Sequence, residues 1–275
     1  MKYLLKDTLR PLYHYITNKY HAREVYRLFD KLGGAERYKE KKNIRFRDLV
    51  FDIPDSLSFI YQIKEIFGDE IYRFKSHSKE PLIIDCGANV GVSVIYFKKL
   101  YEKCKVCAFE ADKKIFEYLE HDIKNNQIDN VELHNKAIWI DSNGIYFESD
   151  GADGGYIKPD STNQNSTNQK IDSISLKNIL LQYHHIDFLK IDIEGAENEV
   201  LFDCRDSLCH IQNIFIEYHQ RYNQAQNLGK IINILDKANF RIYLENITKN
   251  RFPFIQDSKN GEFELQVNIF GYKTN

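Results

Sequence analysis

The sequence predicts an α/β fold: a mostly parallel seven-stranded sheet whose last strand is antiparallel, preceded by an N-terminal helical extension. Three observations predict it. From Pro81 onward, continuous apolar runs of strand length alternate with helical stretches, the pattern of a parallel sheet covered on both faces. A glycine-bearing turn, CGANVG (86–91), directly follows the first of those runs. The final apolar run, FELQVNIFGY (263–272), has no helix before it, so it returns antiparallel beside its predecessor.

The elements follow in order. Residues 3–17 and 22–32 carry helical apolar spacing, and Gly33-Gly34 ends the second helix. IRFRDLVFDIP (44–54) partly alternates, as a half-buried strand or hairpin does. Asp55 or Ser56 caps a helix running to Phe67, with Gly68 at its end. Then come the strand LIIDC (82–86), a helix over 90–101, the strand KVCAFE (105–110), an amphipathic helix over 111–126 and a strand within VELHNKAIW (131–139). The stretch 139–170 breaks the rhythm. It holds GADGGY (151–156) and the polar STNQNSTNQ (161–169), and reads as an exposed loop. The alternation resumes with a helix near 173–182, the strand IDFLKIDI (186–193), a helix from Ala196, the strand NIFIEYH (213–219), a helix over 226–238 and the strand FRIYLE (240–245). The expected organisation is an extension over 1–50 and one large domain over 51–275.

Composition narrows the class of function. The 275 residues are 43% hydrophobic and 28% charged, which excludes a disordered or disulfide-scaffold chain. With 38 Lys+Arg against 40 Asp+Glu, the chain lacks the basic footprint of a nucleic-acid binder. Residues 1–80 nevertheless hold 17 basic against 12 acidic residues, a net of +5. Such a face meets an anionic substrate, touches a membrane peripherally or is a solvated helical surface. No run of 18 apolar residues marks a transmembrane helix, and Lys6, Asp7 and Arg10 interrupt the N-terminus where a secretory signal needs apolar residues. Five cysteines, an odd number, point to a reducing compartment, so the expected location is cytoplasmic.

The strongest chemical signal is IIDCGANVGVSV (83–94). Asp85, Gly87, Asn89 and Gly91 stand between a strand and the opening of a helix. The glycines let backbone turn sharply and approach a ligand, and the helix start offers unpaired N–H groups. Asp85 suits a cationic or hydroxyl-bearing partner better than a phosphate. Glu110 ends the second strand, where a carboxylate accepts hydrogen bonds from vicinal ribose hydroxyls. Together these describe an adenosine-type site. The spacing is neither GxGxxG nor GxxxxGK[ST], which counts against a dinucleotide and a P-loop.

DCGANVG, FEAD (109–112), IDSISL (171–176) and LKIDIEGAE (189–197) together resemble the FkbM-family methyltransferases, over about 53–219. The resemblance implies a Rossmann-like class I methyltransferase sheet, S-adenosylmethionine as cofactor and methyl transfer to a hydroxyl of a sugar, lipid or polyketide. On that reading Asp85 and the glycine loop face the methionine end and Glu110, with Ala111, the ribose. Asn135 and Ala137 border the adenine, and Asp192 lies near the sulfonium. A small-molecule or glycan acceptor is the implied partner, foremost a sugar hydroxyl of a glycan or glycolipid.

Glu217 and His219 stand two apart on one strand and so share a face. A histidine beside a carboxylate is a candidate general base for an alcohol, with Asp192 as the third candidate catalytic residue. Asp192, Glu194, Glu217 and His219 also make a weaker candidate metal set, and no residue is assigned as a metal ligand. Glu197 is read equally as a helix-capping acid or a functional one. The alternatives are transfer to nitrogen or another small molecule, a non-catalytic nucleoside-binding subunit, and a nicotinamide oxidoreductase.

Overall fold

The computed structural model describes residues 23–34, 37–148, 151, 156–158, 169–222, 224–248, 254 and 263–274. The helix expected over 3–17 and most of the GADGGY and STNQ segments lie outside the described residues.

The central sheet contains the seven expected strands. They are β3 (Leu82–Cys86), β4 (Lys105–Glu110), β5 (Val131–Asn135), β11 (Ile186–Ile191), β12 (Ile211–Arg221), β13 (Arg241–Asn246) and β14 (Phe263–Tyr272). Their spatial order is β13-β14-β12-β11-β3-β4-β5. β14 runs antiparallel to both β12 and β13, and the neighbouring pairs from β12 to β5 are parallel. The chain builds outward from β3 to β5, then returns to lay β11 on the other side of β3. The sheet's switch point therefore lies between β3 and β11, where ligands bind beyond the carboxyl ends of the strands.

Strand alternation separates two cores. Ile83, Phe188 and Phe215 point to one face, where Phe97 of α3 (Val92–Leu100) and Leu119 of α4 (Lys113–Asn125) cover them. Ile84, Leu189 and Ile216 point to the other, under α5 (Leu176–Leu180), α6 (Glu197–Cys204) and α7 (Leu228–Lys237). The first core is aromatic: Tyr72 meets Phe215 at 4.8 Å and Phe74 meets Phe188 at 4.9 Å between ring centroids.

The N-terminal elements close over that first face. Helix α1 runs through 23–31, followed by the hairpin of β1 (Lys41–Phe46) and β2 (Leu49–Ile53). Helix α2 (Ser56–Gln62), capped by Asp55, continues as a π-helical turn over Ile63–Gly68. Leu28, Phe46, Phe51 and Phe59 join the same core as Ile83, so the boundary expected at residue 50 falls inside a hairpin that packs on the sheet.

The hairpin is tied to α4 by polar contacts. Asn126 pairs with both the amide and carbonyl of Val50, at 2.9 and 2.7 Å, and Asp122 Oδ1 accepts from Asp52 N at 2.8 Å. Asp122 is fully buried with Oδ2 unpartnered, and burial pushes its carboxyl up to about 8. The folded chain thus keeps a proton that the unfolded chain releases near pH ~4. Stability from this group is present at low pH and falls as pH rises through about 8. Asp122→Asn keeps the acceptor and removes the charge. It should raise the unfolding free energy at pH 9 by about 1–3 kcal/mol more than it does at about pH 4. Urea melts at the two pH values measure this; an equal effect at both would contradict it.

The stretch 139–170 is not all loop. β7 (Ile145–Glu148) pairs antiparallel with β8 (Tyr156–Lys158) and β9 (Gln169–Ile171) as a small separate sheet. β6 (Ala137–Trp139) pairs in parallel with β10 (Ser173–Ser175), which occupies the start of the expected helix. These runs of three or four residues are too short for periodicity to register. No described helix is long and apolar enough to cross a membrane, and no disulfide forms among the described cysteines.

Candidate active site

A cavity of about 660 Å³ opens beyond the carboxyl ends of β12, β11, β3 and β4. Along the sheet its floor passes from Glu217 (β12), through Lys190 and Asp192 (β11 and the turn after it), Gly87 to Asn89 (after β3) and Glu110 (β4), to Lys136–Ile138. Helix α2 and its continuation supply the opposite wall through Ser58, Tyr61, Gln62 and Glu65, an i, i+3, i+4, i+7 stripe.

The loop after β3 is built by its own backbone. Gly87 N and Ala88 N both donate to Phe109 O at 2.9 Å, which folds the loop over the tip of β4. Gly87, Asn89 and Gly91 have φ of 86°, 48° and 90°. A Cβ on Gly87 would stand 1.8 Å from the Asp192 carbonyl oxygen, and one on Gly91 2.8 Å from Leu119 Cδ1. Glycine is therefore required at 87 by close approach of the β11 turn, and favoured at 91 by its φ of 90°.

Glu110 is the acid at one end. Its Oε2 accepts from Asn89 N and its Oε1 from Asp112 N, both at 2.9 Å, and burial pushes the carboxyl up to about 7 despite these bonds. Each oxygen keeps a lone pair for a donor in the cavity. Ala111 and Ala137 line the cavity beside it. Asn135 does not: its Nδ2 donates to the carbonyls of Glu110 and Ala111 at 3.0 and 3.2 Å, holding the acid's backbone in place.

Asp85 corrects the expectation that it faces the ligand. It is fully buried behind the floor, where its Oδ2 accepts from Ser93 Oγ at 2.6 Å and its Oδ1 lies 3.4 Å from Lys190 Nζ. Asp85 sits one residue short of the turn, on the face that packs against α3. Its partner Lys190, a β11 residue within LKIDIEGAE, does line the cavity. The ammonium donates to Gly87 O at 2.7 Å and reaches Asp192 Oδ2 at 3.1 Å. Burial works to lower the Lys190 pKa, but Asp192 and Asp85 outweigh it and hold the ammonium charged. One side chain thus binds the tips of β3 and β11 together.

At the other end Asp192, Glu194 and Glu217 line the cavity. Burial, opposed by His219 and reinforced by Asp192, raises Glu194; burial and Asp192 raise Glu217. Glu65, facing them from α2, is pushed up to about 7 by burial and then by Glu217. Glu197 lies beneath. Its Oε1 accepts from Ile193 N at 3.2 Å and Gly195 N at 3.0 Å, bracing the turn in which Glu194 and Gly195 have φ of 55° and 100°.

His219 is the second correction. It shares a face with Glu217, as alternation requires, but does not reach the cavity. It is 2% exposed, under the Phe263 ring of β14 at 4.7 Å. Its Nδ1 meets Glu197 Oε1 at 3.2 Å, and its Nε2 lies 3.5 Å from Glu217 Oε1 and 3.7 Å from Glu194 Oε2. Burial alone lowers its pKa, and the surrounding carboxylates, Glu197 foremost, raise it well above the ordinary value. A histidine so enclosed does not stand where a base would touch an acceptor.

The wall residues Tyr61, Gln62, Glu65 and Tyr72 carried no motif. The polar stripe of α2 was the one available signal, and without the sheet beside it the stripe reads as a solvated face.

Residues 85–242 match the model of the Methyltransferase FkbM domain. Among curated proteins, the chain is 26% identical over 185 residues to Methyltransferase sdnD of Sordaria araneosa, covering 52% of this chain and 67% of that one. It is 23% identical over 176 residues to Methyltransferase 1 of Beauveria bassiana (strain ARSEF 2860), covering 56% and 71%. Among solved structures, M. jannaschii TYW2 in complex with AdoMet is similar at 14% identity and a TM-score of 0.46, covering 86% of this chain and 88% of that one.

Proposed function

This chain belongs to the FkbM methyltransferase family, and we propose that it moves a methyl group from S-adenosylmethionine to a hydroxyl of a small molecule or glycan. The observation that carries the reading is the division of one cavity between two kinds of acid. Glu110 stands at the β4 end beside Asp112, whose Oδ1 caps α4 by accepting from Lys114 N and Ile115 N, while Asp192, Glu194 and Glu217 crowd the β11–β12 end.

The residues fit the cofactor. Glu110 offers two carboxylate oxygens with lone pairs in reserve for a ribose diol. Asp192 and its neighbours bring negative charge to the end where a sulfonium and an ammonium need it. The bound cofactor supplies an electrophilic methyl carbon: the acceptor oxygen bonds to it as the carbon–sulfur bond breaks, and the electron pair stays on sulfur. The chain's own work is to align acceptor oxygen with that carbon and to take up the hydroxyl proton. Glu217 is the assigned base. Burial and Asp192 raise its pKa above the ordinary carboxylate value, which makes it a stronger proton acceptor. Lys190 holds Asp192 in place, and the His219 imidazole lies behind Glu217 with Nε2 3.5 Å from Oε1.

The test is transfer of a labelled methyl group to simple sugars, polyols and amines. Product on hydroxyl acceptors, abolished by omission of S-adenosylmethionine, supports the reading; product on amines alone overturns the hydroxyl assignment. Within an active system, Glu217→Gln should lower kcat about a hundredfold while the Kd for S-adenosylmethionine stays within about threefold. An unchanged kcat would remove Glu217 from the mechanism.

A further inference from the structure

The carboxylate-rich end of the cavity has more negative charge than its own cations balance. Asp192, Glu194 and Glu217 line it, Glu65 faces it and Glu197 lies beneath, while Lys190 is already shared between Asp85 and Asp192. His219 is a further cation there, beside Arg221, whose Nη2 donates to the Glu194 carbonyl at 3.4 Å, and its placement does more than supply a counter-charge. Its Nδ1 is held by the buried Glu197 at 3.2 Å, and Nε2 points between Glu194 and Glu217 at distances longer than ordinary N–H···O hydrogen bonds. A carboxylate that pins one imidazole nitrogen, leaving the other aimed at oxygen ligands, is the arrangement that orients a metal-binding histidine.

The distances agree. One ligand atom from each of Asp192, Glu194 and His219 lies within 4.8 Å of the others. Ligands held at about 2.1–2.2 Å around a single ion stand about 3–4.4 Å apart. Small side-chain movements therefore bring all three onto one centre, with Glu217 beside it. No motif spacing announces the set: two of its members follow β11 and the third is on β12.

We propose that Asp192, Glu194 and His219 bind one divalent transition-metal ion at the acceptor end of the cavity, with Glu197 fixing the histidine from behind. A mixed nitrogen and oxygen set suits Mn2+ or Zn2+ better than an all-oxygen ion. Binding releases any proton held on Nε2 and places two positive charges among the crowded carboxylates. Resting on the hydroxyl-transfer reading, the ion would hold the acceptor oxygen and lower its pKa, and Glu217 would receive the proton.

The experiment is equilibrium dialysis of chelator-stripped full chain against Mn2+ and, separately, Zn2+, with bound metal counted by mass spectrometry. S-adenosylmethionine binding is measured by calorimetry on the same samples. One equivalent of metal should bind to the wild type. Glu194→Gln and His219→Asn should each weaken it at least tenfold, and Glu197→Gln should weaken it as an orienting residue does, by about 10–100-fold. Far-UV circular dichroism and thermal melts confirm that each variant is folded, and Glu194→Gln serves if His219→Asn is not. His121→Ala, which disrupts the Asp52, His121 and Asp122 group elsewhere, should leave binding unchanged. A folded wild type that binds neither metal overturns the site, as does binding lost in His121→Ala and kept in His219→Asn. Cofactor bound without metal sinks this inference and spares the methyltransferase reading; metal bound without cofactor does the reverse.

Discussion

Gly87→Ala should leave a protein that no longer binds S-adenosylmethionine and is several kcal/mol less stable. Two effects add. The φ of 86° places any L side chain in the left-handed region, at about 1–2 kcal/mol. The new Cβ also meets the carbonyl oxygen of Asp192 at 1.8 Å, far inside van der Waals contact. That oxygen is backbone and cannot rotate aside, so the β3 and β11 tips must separate. Separation breaks the bond from Asp192 N to Cys86 O, at 3.1 Å, and pulls Gly87 O from Lys190. Urea unfolding and calorimetry with the cofactor measure both consequences. Gly229→Ala in α7 is the control: nothing lies within 4 Å of its Cβ, and alanine should be neutral or slightly stabilising there. A Gly87→Ala variant within about 1 kcal/mol of wild type would show that the two tips are not packed as described.

Lys190→Met should cost about 3–5 kcal/mol, the usual penalty for removing one partner of a buried ion pair. The size follows from what is left behind. Asp85 is fully buried, its Oδ1 has no hydrogen bond, and the Lys190 ammonium 3.4 Å away is the charge that opposes its desolvation. Burial already raises the Asp85 pKa with the lysine present, so without it the carboxyl takes up a proton. A pH dependence then appears. The Asp85 pKa in the folded variant lies further above its unfolded value, so the variant is relatively more stable at low pH and loses stability as pH rises. Adding Asp85→Asn should recover a large part of the loss, because the buried charge goes with its partner. Denaturation of both single variants and the double variant gives the coupling energy; strict additivity would refute the pairing. Cofactor binding should not recover in the double variant, since Asp192 still lacks the ammonium that holds it at 3.1 Å.

Much of this protein was legible as a string. The alternation after Pro81 predicted each strand of the central sheet, and the lone run at 263–272 predicted the reversed strand. A continuous apolar run between helical stretches has few other ways to bury both its faces. Gly87, Asn89 and Glu110 line one cavity for a local reason: turn, helix start and strand end all lie within one βαβ unit. The small strands of 145–175 were not legible, because runs of three or four residues carry no period.

The site's second half was decided by tertiary structure. Asp85 and Lys190 are 105 residues apart in the chain, and their pairing exists because β3 and β11 are adjacent in register. His219 looked like an accessible base until β14 placed Phe263 over it. The polar stripe on α2 became a cavity wall when the N-terminal hairpin docked on α4. Local spacing determines which face a side chain takes and where a glycine must turn, since both follow from dihedral angles a few residues apart. Whether a charged group then meets water, a ligand or an opposite charge depends on which distant strand lies beside it, and only the assembled sheet decides that.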